Sequence, residues 1–375
     1  MTESTDRYFS PDYVGARQRF REAVDASGGR LDSLKLAATG PQGDDLTIDV
    51  AWLGSKKPRR VFIHSSGLHG VEAFAGSAIQ LQRLEEGFPK LPEDAAIVLV
   101  HVLNPYGMAW RRRFNENNVD LNCNFRSPLD KTASAPPHWQ EVDAFLNPPT
   151  PPSKDHFYPR TALLMVRYGF QSLKQTVAGG QALNPKGLFF VGRTVEEGTT
   201  KFQAYIQERL TSVERIVAID VHTGLGSYGQ DRLLVDAAEE RESVNRAMRF
   251  VYGERLQQLN GDSVAYPVQG AQHHMYYRLF PRASVYFATQ EFGTYNPLRV
   301  VKTLREENRW HHYGAGTVDH PAKKLLVQVF NPNDVRWKEL ILMRGGDVFR
   351  KGLALALTGH PEVESLDAGT PLYCI

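Results

Sequence analysis

The stretch "VFIHSSGLHGVEAFAGSAIQ", from Val61 to Gln80, determines how the rest of the sequence is interpreted. It begins with strand-favouring residues, passes through Ser-Ser-Gly, and continues with the spacing of a helix. His69 and Glu72 lie three residues apart at this junction. An imidazole and a carboxylate in this place are either ordinary polar residues at a helix entrance or two ligands of one metal ion.

Other segments of the chain repeat this alternation of apolar strands and helical spacing. Near-continuous apolar runs occupy residues 95–105, 215–226 and 283–293, an alternating strand pattern occupies residues 45–54, and helical spacing covers residues 9–27. Continuous apolar strands separated by helices are typical of parallel sheets that are covered on both faces. We therefore predict an α/β fold with a mixed, mostly parallel central sheet and helices on both faces.

We predict a single domain over residues 1–375, since no internal repeat or low-complexity tract is visible. The proline-rich segment 127–160 is expected to be a surface excursion beside the site, with a helix near residues 138–146. Residues 325–332, "LLVQVFNP", have the apolar run of a strand, and residues 333–358 have helical spacing. We expect both to form the last layer of the same domain.

The composition limits the classes of partner. The net charge is +2, from 44 Lys and Arg against 42 Asp and Glu, which is too small to favour nucleic acid or an anionic membrane surface. No stretch approaches the roughly 20 apolar residues of a membrane span, and the first residues lack the apolar core of a signal peptide. Cys123 and Cys374 form no disulfide framework. These features predict a cytoplasmic protein without a nucleic-acid or membrane partner.

Two further strand ends carry residues that could complete a metal site. A catalytic zinc site needs a third protein ligand and leaves a position for water. His222 ends one apolar strand, with Asp220 two residues earlier on the same face, and Glu291 ends another. Strand ends of a parallel sheet share the edge where ligands bind, and metal-activated water needs a carboxylate to take its proton. Taken singly, each residue also has a structural interpretation, such as a helix-capping glutamate or a solvated strand-end carboxylate.

The order of His-x-x-Glu, a distant His and a strand-end Glu resembles the zinc carboxypeptidase superfamily. Between the first and second ligand segments that family carries an Asn-Pro strand end, arginines and a Val-Asp-Leu-Asn-Arg-Asn-Phe motif. The corresponding stretch here is "LNPYGMAWRRRFNENNVDLNCNF", Leu103 to Phe125. The resemblance covers roughly residues 45 to 300 and is strongest to an atypical bacterial metallopeptidase branch. Aspartoacylases and succinylglutamate desuccinylases are more distant relatives.

The resemblance implies a zinc site and a general base. His69, Glu72 and His222 would bind one Zn²⁺ per chain. Asp120 would hydrogen-bond a ligand imidazole and fix its tautomer. Glu291 would act as general base and then as general acid.

The resemblance also implies residues that contact the substrate. Arg113, with Arg112 as second choice, would steady the oxyanion, and Asn122 would contact the substrate carboxylate. The sequence departs from the family at Cys123, which stands where the family has the arginine that binds a terminal carboxylate in a bidentate fork. A thiol cannot make that contact. Arg126 is the neighbouring candidate to replace it.

The tyrosines and paired histidines are less specific. Tyr266, Tyr276 and Tyr277 all precede Glu291 and are candidates for the family's catalytic tyrosine, with packing as the default role of each; Tyr266 is the substrate-binding candidate. The adjacent pairs 273–274 and 311–312 are expected not to share a metal, because neighbouring side chains point in different directions.

Three functions remain distinct. The first is a carboxypeptidase-like zinc hydrolase of peptide bonds. The second is a deacylase or amidase of small N-acylated compounds, which Cys123 favours. The third is a non-catalytic binding protein that retains the fold, against which the intact set of His69, Glu72, His222 and Glu291 argues.

Overall fold

The computed structural model describes residues 5–127, 136, 138–259 and 270–359. Eight strands in this part of the chain form one sheet. They are β1 (Arg30–Thr39), β2 (Asp45–Gly54), β3 (Arg60–Ser66), β4 (Ala95–His101), β5 (Arg215–Tyr228), β6 (Asp231–Val235), β7 (Leu256–Gln258) and β8 (Ser284–Gly293).

The strand order across the sheet is β1-β2-β4-β3-β5-β8-β6-β7. The four central strands β4, β3, β5 and β8 run parallel to one another. The edge strand β1 and its neighbour β2 are antiparallel, and β6 is antiparallel to β8. The carboxyl ends of β3, β5 and β8 therefore lie side by side at one edge of the sheet, which is where ligands bind in such folds.

Twelve α-helices lie in the described residues. They are α1 (Tyr13–Ala26), α2 (Ala73–Glu86), α3 (Pro105–Ala109), α4 (Trp139–Leu146), α5 (Phe157–Tyr168), α6 (Phe170–Ala178), α7 (Glu197–Arg209), α8 (Glu242–Tyr252), α9 (Gln272–Leu279), α10 (Pro297–Tyr313), α11 (Pro321–Phe330) and α12 (Val335–Thr358).

Two apolar clusters show that helices cover both faces of the sheet. Because successive strand residues point to opposite faces, Val61 and Ile63 of β3 pack in one cluster while Phe62 packs in the other. Helices α7 and α9 contribute to the first cluster, and α1, α2, α8 and α12 contribute to the second. The predicted α/β fold, with a mixed and mostly parallel sheet between helical layers, is confirmed.

The predicted strand at residues 325–332 is wrong. These residues belong largely to α11, whose side chains Leu326, Val329 and Phe330 are buried on one face. A short run of Val, Leu and Phe suits a strand or a buried helix equally well. The decisive signal lies just upstream, where His320 caps the helix and Pro321 occupies its first turn.

The proline-rich excursion carries helices that pack beside the site. Helix α4 matches the helix predicted near residues 138–146, and residues 128–135 and 137 lie outside the described residues. Side chains of α4 and α5 share an apolar cluster with α10 and α11. The single domain stays a prediction. Among the described residues, no helix combines the length and the apolar character needed to cross a bilayer.

Candidate active site

Three side chains, two from the segment that follows β3 and one from the neighbouring strand β5, form a compact group of metal-binding type. His69 directly precedes a 3-10 turn, Gly70–Glu72, that follows β3, and His222 lies on β5. Because β3 and β5 are paired in parallel and the last pair is Ser66 with Val221, the end of β3 lies beside His222, which β5 carries before it continues to Tyr228. The candidate ligand atoms of His69, Glu72 and His222 lie within 4.8 Å of one another, and all three residues are buried.

Both imidazoles direct the same nitrogen toward the Glu72 carboxylate. Nδ1 of His69 is 3.0 Å from Oε1, and Nδ1 of His222 is 3.4 Å from Oε2. The second carboxylate oxygen also accepts a hydrogen bond from the Thr223 backbone N–H at 3.1 Å. Burial raises the pKa of Glu72, but the two histidines and Arg113 outweigh burial and hold it well below its usual range. Glu72 is therefore an ionised carboxylate.

The other nitrogen of each imidazole is held by a carboxylate. Nε2 of His69 lies 3.0 Å from Asp120 Oδ1 and 2.8 Å from Arg113 Nη2, and Nε2 of His222 lies 2.6 Å from Asp220 Oδ2. With the proton on Nε2, each imidazole would present the lone pair of Nδ1 to a metal ion. Nδ1 of His69 is buried and makes no hydrogen bond. Two imidazole nitrogens and one carboxylate oxygen, with an unsatisfied nitrogen among them, fit a divalent metal ion.

Asp220 is a residue whose role the sequence did not reveal. Its position two residues before His222 places both side chains on one face of β5, and this spacing was the available signal. Ser65 donates to its other oxygen at 2.6 Å, so the carboxylate is itself fixed. Burial lowers the pKa of His222, but Asp220 and Glu72 outweigh burial and raise it well above its ordinary value. The field at this position favours a cation.

Glu291 lies directly across from His222 in the sheet. The two residues are paired positions of β8 and β5. Glu291 is buried, and its Oε1 accepts a hydrogen bond from the Leu225 backbone N–H at 2.9 Å. Burial, followed by the nearby Glu72 carboxylate, raises the pKa of Glu291 to about 7. A carboxyl group with this pKa can both accept and donate a proton near neutral pH.

The two candidate oxyanion arginines have different surroundings. Arg113 reaches the metal-binding group, where its Nη1 donates to Glu72 at 2.9 Å and its Nε donates to Asp120 at 3.0 Å; its guanidinium also contacts the ring of His69. Arg112 is fully buried elsewhere and pairs with Glu307 of α10 at 3.0 Å. Arg113 lines the cavity beside the site.

The structure places the remaining substrate-binding candidates differently. Asn122 and Cys123 line the cavity. Burial raises the pKa of the Cys123 thiol far above its ordinary value, so this position is uncharged. Arg126 is buried, and its Nη2 donates to the carbonyl of Gly192 at 2.9 Å. Tyr266 lies outside the described residues.

A second possible group of metal-binding type lies at the start of α9. Asp236, His273 and His274 also bring ligand atoms within 4.8 Å of one another, although the adjacent histidines were expected not to share a metal. Burial and then the neighbouring His274 and Arg241 lower the pKa of His273 to about 3. The positive end of the helix and this arginine disfavour a cation here. The group around Glu72 is therefore the better candidate.

The cavity beside the site has a polar floor and apolar walls. Its volume is about 570 Å³. The metal-binding group, Arg113 and Glu291 are among its polar lining residues, and we call this part of the lining the floor. Helices α4, α5, α6 and α10 supply the apolar wall, and its members include Phe145, Leu164, Met165, Leu173, Val177 and Leu304.

Solved structures show low-identity similarity over most of the chain. Bovine thrombin-activatable fibrinolysis inhibitor is 12% identical, with a TM-score of 0.45 over 92% of this chain and 97% of that chain. A Pseudomonas aeruginosa metallo-carboxypeptidase is 14% identical, with a TM-score of 0.44 over 91% of this chain and 67% of that chain. The succinylglutamate desuccinylase of Chromobacterium violaceum is 12% identical, with a TM-score of 0.42 over 96% of this chain and 77% of that chain. No curated protein matches this chain in sequence.

One family model spans most of the chain. It matches residues 9–344, a segment that includes every site residue from His69 to Glu291. The chain belongs to the family that this model describes as "Protein of unknown function (DUF2817)".

Proposed function

We propose that the protein is a zinc-dependent hydrolase of a peptide or amide bond. The observation that carries this proposal is the pairing of His222 with Glu291 on adjacent strands, which sets a general base beside a two-histidine, one-carboxylate group. Intact ligands together with a base favour an enzyme over a non-catalytic binding protein.

His69, Glu72 and His222 would hold one zinc ion per chain. When bound, the ion would supply Lewis-acid polarisation of the scissile carbonyl and would lower the pKa of a water molecule from ~15.7 to about 7. Asp120 and Asp220 would accept the Nε2 protons and so keep both imidazoles in the required tautomer and orientation, since each carboxylate lies within hydrogen-bond distance of Nε2.

Glu291 and Arg113 would carry the remaining steps. Glu291 would take a proton from the attacking water and return it to the leaving nitrogen, a role that suits its pKa of about 7. Arg113 would donate to the oxyanion that forms on the carbonyl oxygen. Loss of one such donor costs about 3–4 kcal/mol of transition-state stabilisation.

The substrate class is a choice between peptides with a free terminal carboxylate and N-acylated compounds. A carboxypeptidase needs a cation that binds the terminal carboxylate. Cys123 is uncharged, and the guanidinium of Arg126 is bonded to a backbone carbonyl. Among the described lining residues, the Arg and Lys side chains are Arg113 and Lys174. The uncharged Cys123 and the bonded Arg126 favour the deacylase or amidase. The carboxypeptidase is the second candidate, and Lys174 would be its carboxylate-binding cation.

A substrate panel tests the proposal. Zinc-loaded protein is incubated with C-terminally free peptides, the same peptides amidated, and N-acyl amino acids, with Glu291→Gln as the inactive control. We expect hydrolysis of N-acyl amino acids and no strong preference for free acids over amides. Absence of hydrolysis for all three sets by folded, zinc-loaded protein would contradict the proposal.

A further inference from the structure

We propose that the substrate carries a long aliphatic acyl chain, which occupies the apolar part of the cavity while its amide lies at the polar floor. This inference rests on the proposed function and names the substrate class of the same site.

The first observation is the contrast between the floor and the walls. The groups that suit an amide and its developing charge, Glu291 and Arg113 among them, lie at the floor. The wall is formed by apolar faces of four helices, and a cavity of about 570 Å³ falls in the range that encloses most of a drug-sized ligand. A single small acyl group, such as acetyl, would leave most of this apolar surface in contact with water.

The second observation separates an alkyl chain from a peptide. Each added residue of a peptide brings an N–H and a C=O group that need partners when buried. The walls contributed by α5 and α6 offer apolar atoms from Leu164, Met165, Leu173 and Val177, and their polar side chains in the described lining are Thr161 and Lys174. An alkyl chain needs no partners, and it gains from contact with such walls.

The third observation concerns the exposed apolar side chains of the same two helices. Tyr158, Leu163 and Val166 of α5 are exposed by 54%, 66% and 86%, and Phe170 of α6 is exposed by 52% while it also lines the cavity. Exposed large apolar side chains on neighbouring helices can form a surface that meets apolar ligands or partners. Helices α5 and α6 therefore present apolar side chains both to the cavity and to its surroundings, as suits an enzyme whose substrate is poorly soluble in water.

Neighbouring residues provide matched variants. Leu164 is 7% exposed and lines the cavity, whereas Leu163 is 66% exposed on α5. Leu164→Trp places a larger side chain in the cavity, and Leu163→Trp places the same side chain on the exposed side of α5. Leu173→Trp on α6 is a second filling variant, in case the first one does not fold.

Two measurements test the inference. The first is kcat/KM of zinc-loaded enzyme for N-acyl glycines from acetyl to dodecanoyl. We expect kcat/KM to rise at least twofold per added methylene over part of the series, because burial of each CH₂ is favourable. The filling variants should lower the dodecanoyl-to-acetyl ratio at least tenfold, and Leu163→Trp should leave it unchanged. The second is the affinity of metal-free protein for dodecanoate, measured by displacement of a fluorescent fatty acid. We expect the filling variants to bind dodecanoate more weakly than the wild type, and Leu163→Trp to bind it equally well.

The outcomes separate the inference from the proposed function. Hydrolysis that is equally fast for acetyl and dodecanoyl substrates, without dodecanoate binding, overturns the acyl-chain site and leaves the amidase intact. A different result would be that the protein binds dodecanoate, that Leu164→Trp or Leu173→Trp weakens this binding, and that no amide is hydrolysed. This result supports the acyl-chain site and overturns the proposed reaction.

Discussion

His222 and Glu291 occupy directly paired positions on the parallel strands β5 and β8. Their separation is therefore set by the sheet's hydrogen bonds and does not depend on a loop. In the proposed roles of metal ligand and proton acceptor, His222 and Glu291 would be pre-organised for hydrolysis, because neither would have to move into place when substrate binds.

The first prediction concerns Glu291 as the general base. Glu291→Gln keeps the side chain's shape but cannot accept a proton, so kcat should fall by about 10²-fold or more. Zinc content, measured by metal analysis, should be unchanged because Glu291 is not a proposed ligand. Glu141→Gln, at a half-exposed carboxylate on α4, is the control and should retain full activity. A kcat near that of the wild type would remove Glu291 from the mechanism.

The second prediction concerns the identity of the metal site. Purified protein should contain one zinc per chain, and His69→Ala and His222→Ala should each reduce that content. His273→Ala removes a histidine from the second group near α9 and should leave the zinc content unchanged. Loss of zinc in His273→Ala alone would instead indicate that the zinc site is the second group near α9.

The third prediction concerns Asp220 as a positioning residue. Asp220→Asn cannot take the Nε2 proton of His222 in the same way, so zinc affinity should fall about 10- to 100-fold, as measured by chelator competition. At saturating zinc, much of the lost activity should return, because the ligand itself remains. The control is Asp347→Asn. Asp347 lies on α12 and pairs with Arg255, and its substitution should leave zinc affinity unchanged. An unchanged affinity in Asp220→Asn would make this carboxylate merely structural.

The fourth prediction concerns Cys123 and the terminal carboxylate. The wild type should hydrolyse amidated substrates with kcat/KM near that of the free acids. Cys123→Arg should shift the preference toward free acids at least tenfold, about 1.4 kcal/mol, provided that the larger side chain fits. Thermal unfolding of the variant checks the fit. Strong rejection of amidated substrates by the wild type would instead show that another cation binds the carboxylate.

The fifth prediction concerns Gly70, between the two ligands of the first segment. A Cβ atom at Gly70 would lie 2.0 Å from the backbone carbon of Gly107 in α3, so Gly70→Ala forces backbone to move. We expect a loss of about 1–3 kcal/mol in the free energy of unfolding, measured with urea. Gly198→Ala, whose Cβ would meet Ile48 at an ordinary 3.5 Å, is the control and should cost much less.

The sequence predicted the site best where residues that can bind a metal or transfer a proton stand at the ends of apolar runs. His69, Glu72, His222 and Glu291 could be named because each follows or ends an apolar strand, and parallel strands bring such ends together. Their proximity is observed, while their catalytic and metal-binding roles stay predictions. The neighbouring arginines were harder to separate, since Arg112 is committed to Glu307, a residue 195 positions away whose contact leaves no local signal.

The edges of the sheet and the cavity wall were beyond the sequence pattern. Strands β1, β6 and β7 were not predicted, because the edge strands β1 and β7 and the short strand β6 beside β7 lack the long continuous apolar run of the central strands. The apolar wall depends on how α4, α5 and α6 pack beside α10, and helical spacing alone does not tell which partner a helix meets. The residues that define substrate class were therefore the least predictable.

The parallel pairing of β3 with β5 runs from Arg60 opposite Arg215 to Ser66 opposite Val221, and it ends next to His69 and His222. The sheet's hydrogen bonds therefore set the spacing of the two strands that carry the candidate ligands, whereas small zinc domains fold only when loaded. We expect a metal bound here to be needed for the proposed reaction and not for folding. We also expect the folded protein to exchange zinc for other divalent ions, and a coloured ion such as cobalt to report the geometry of the site.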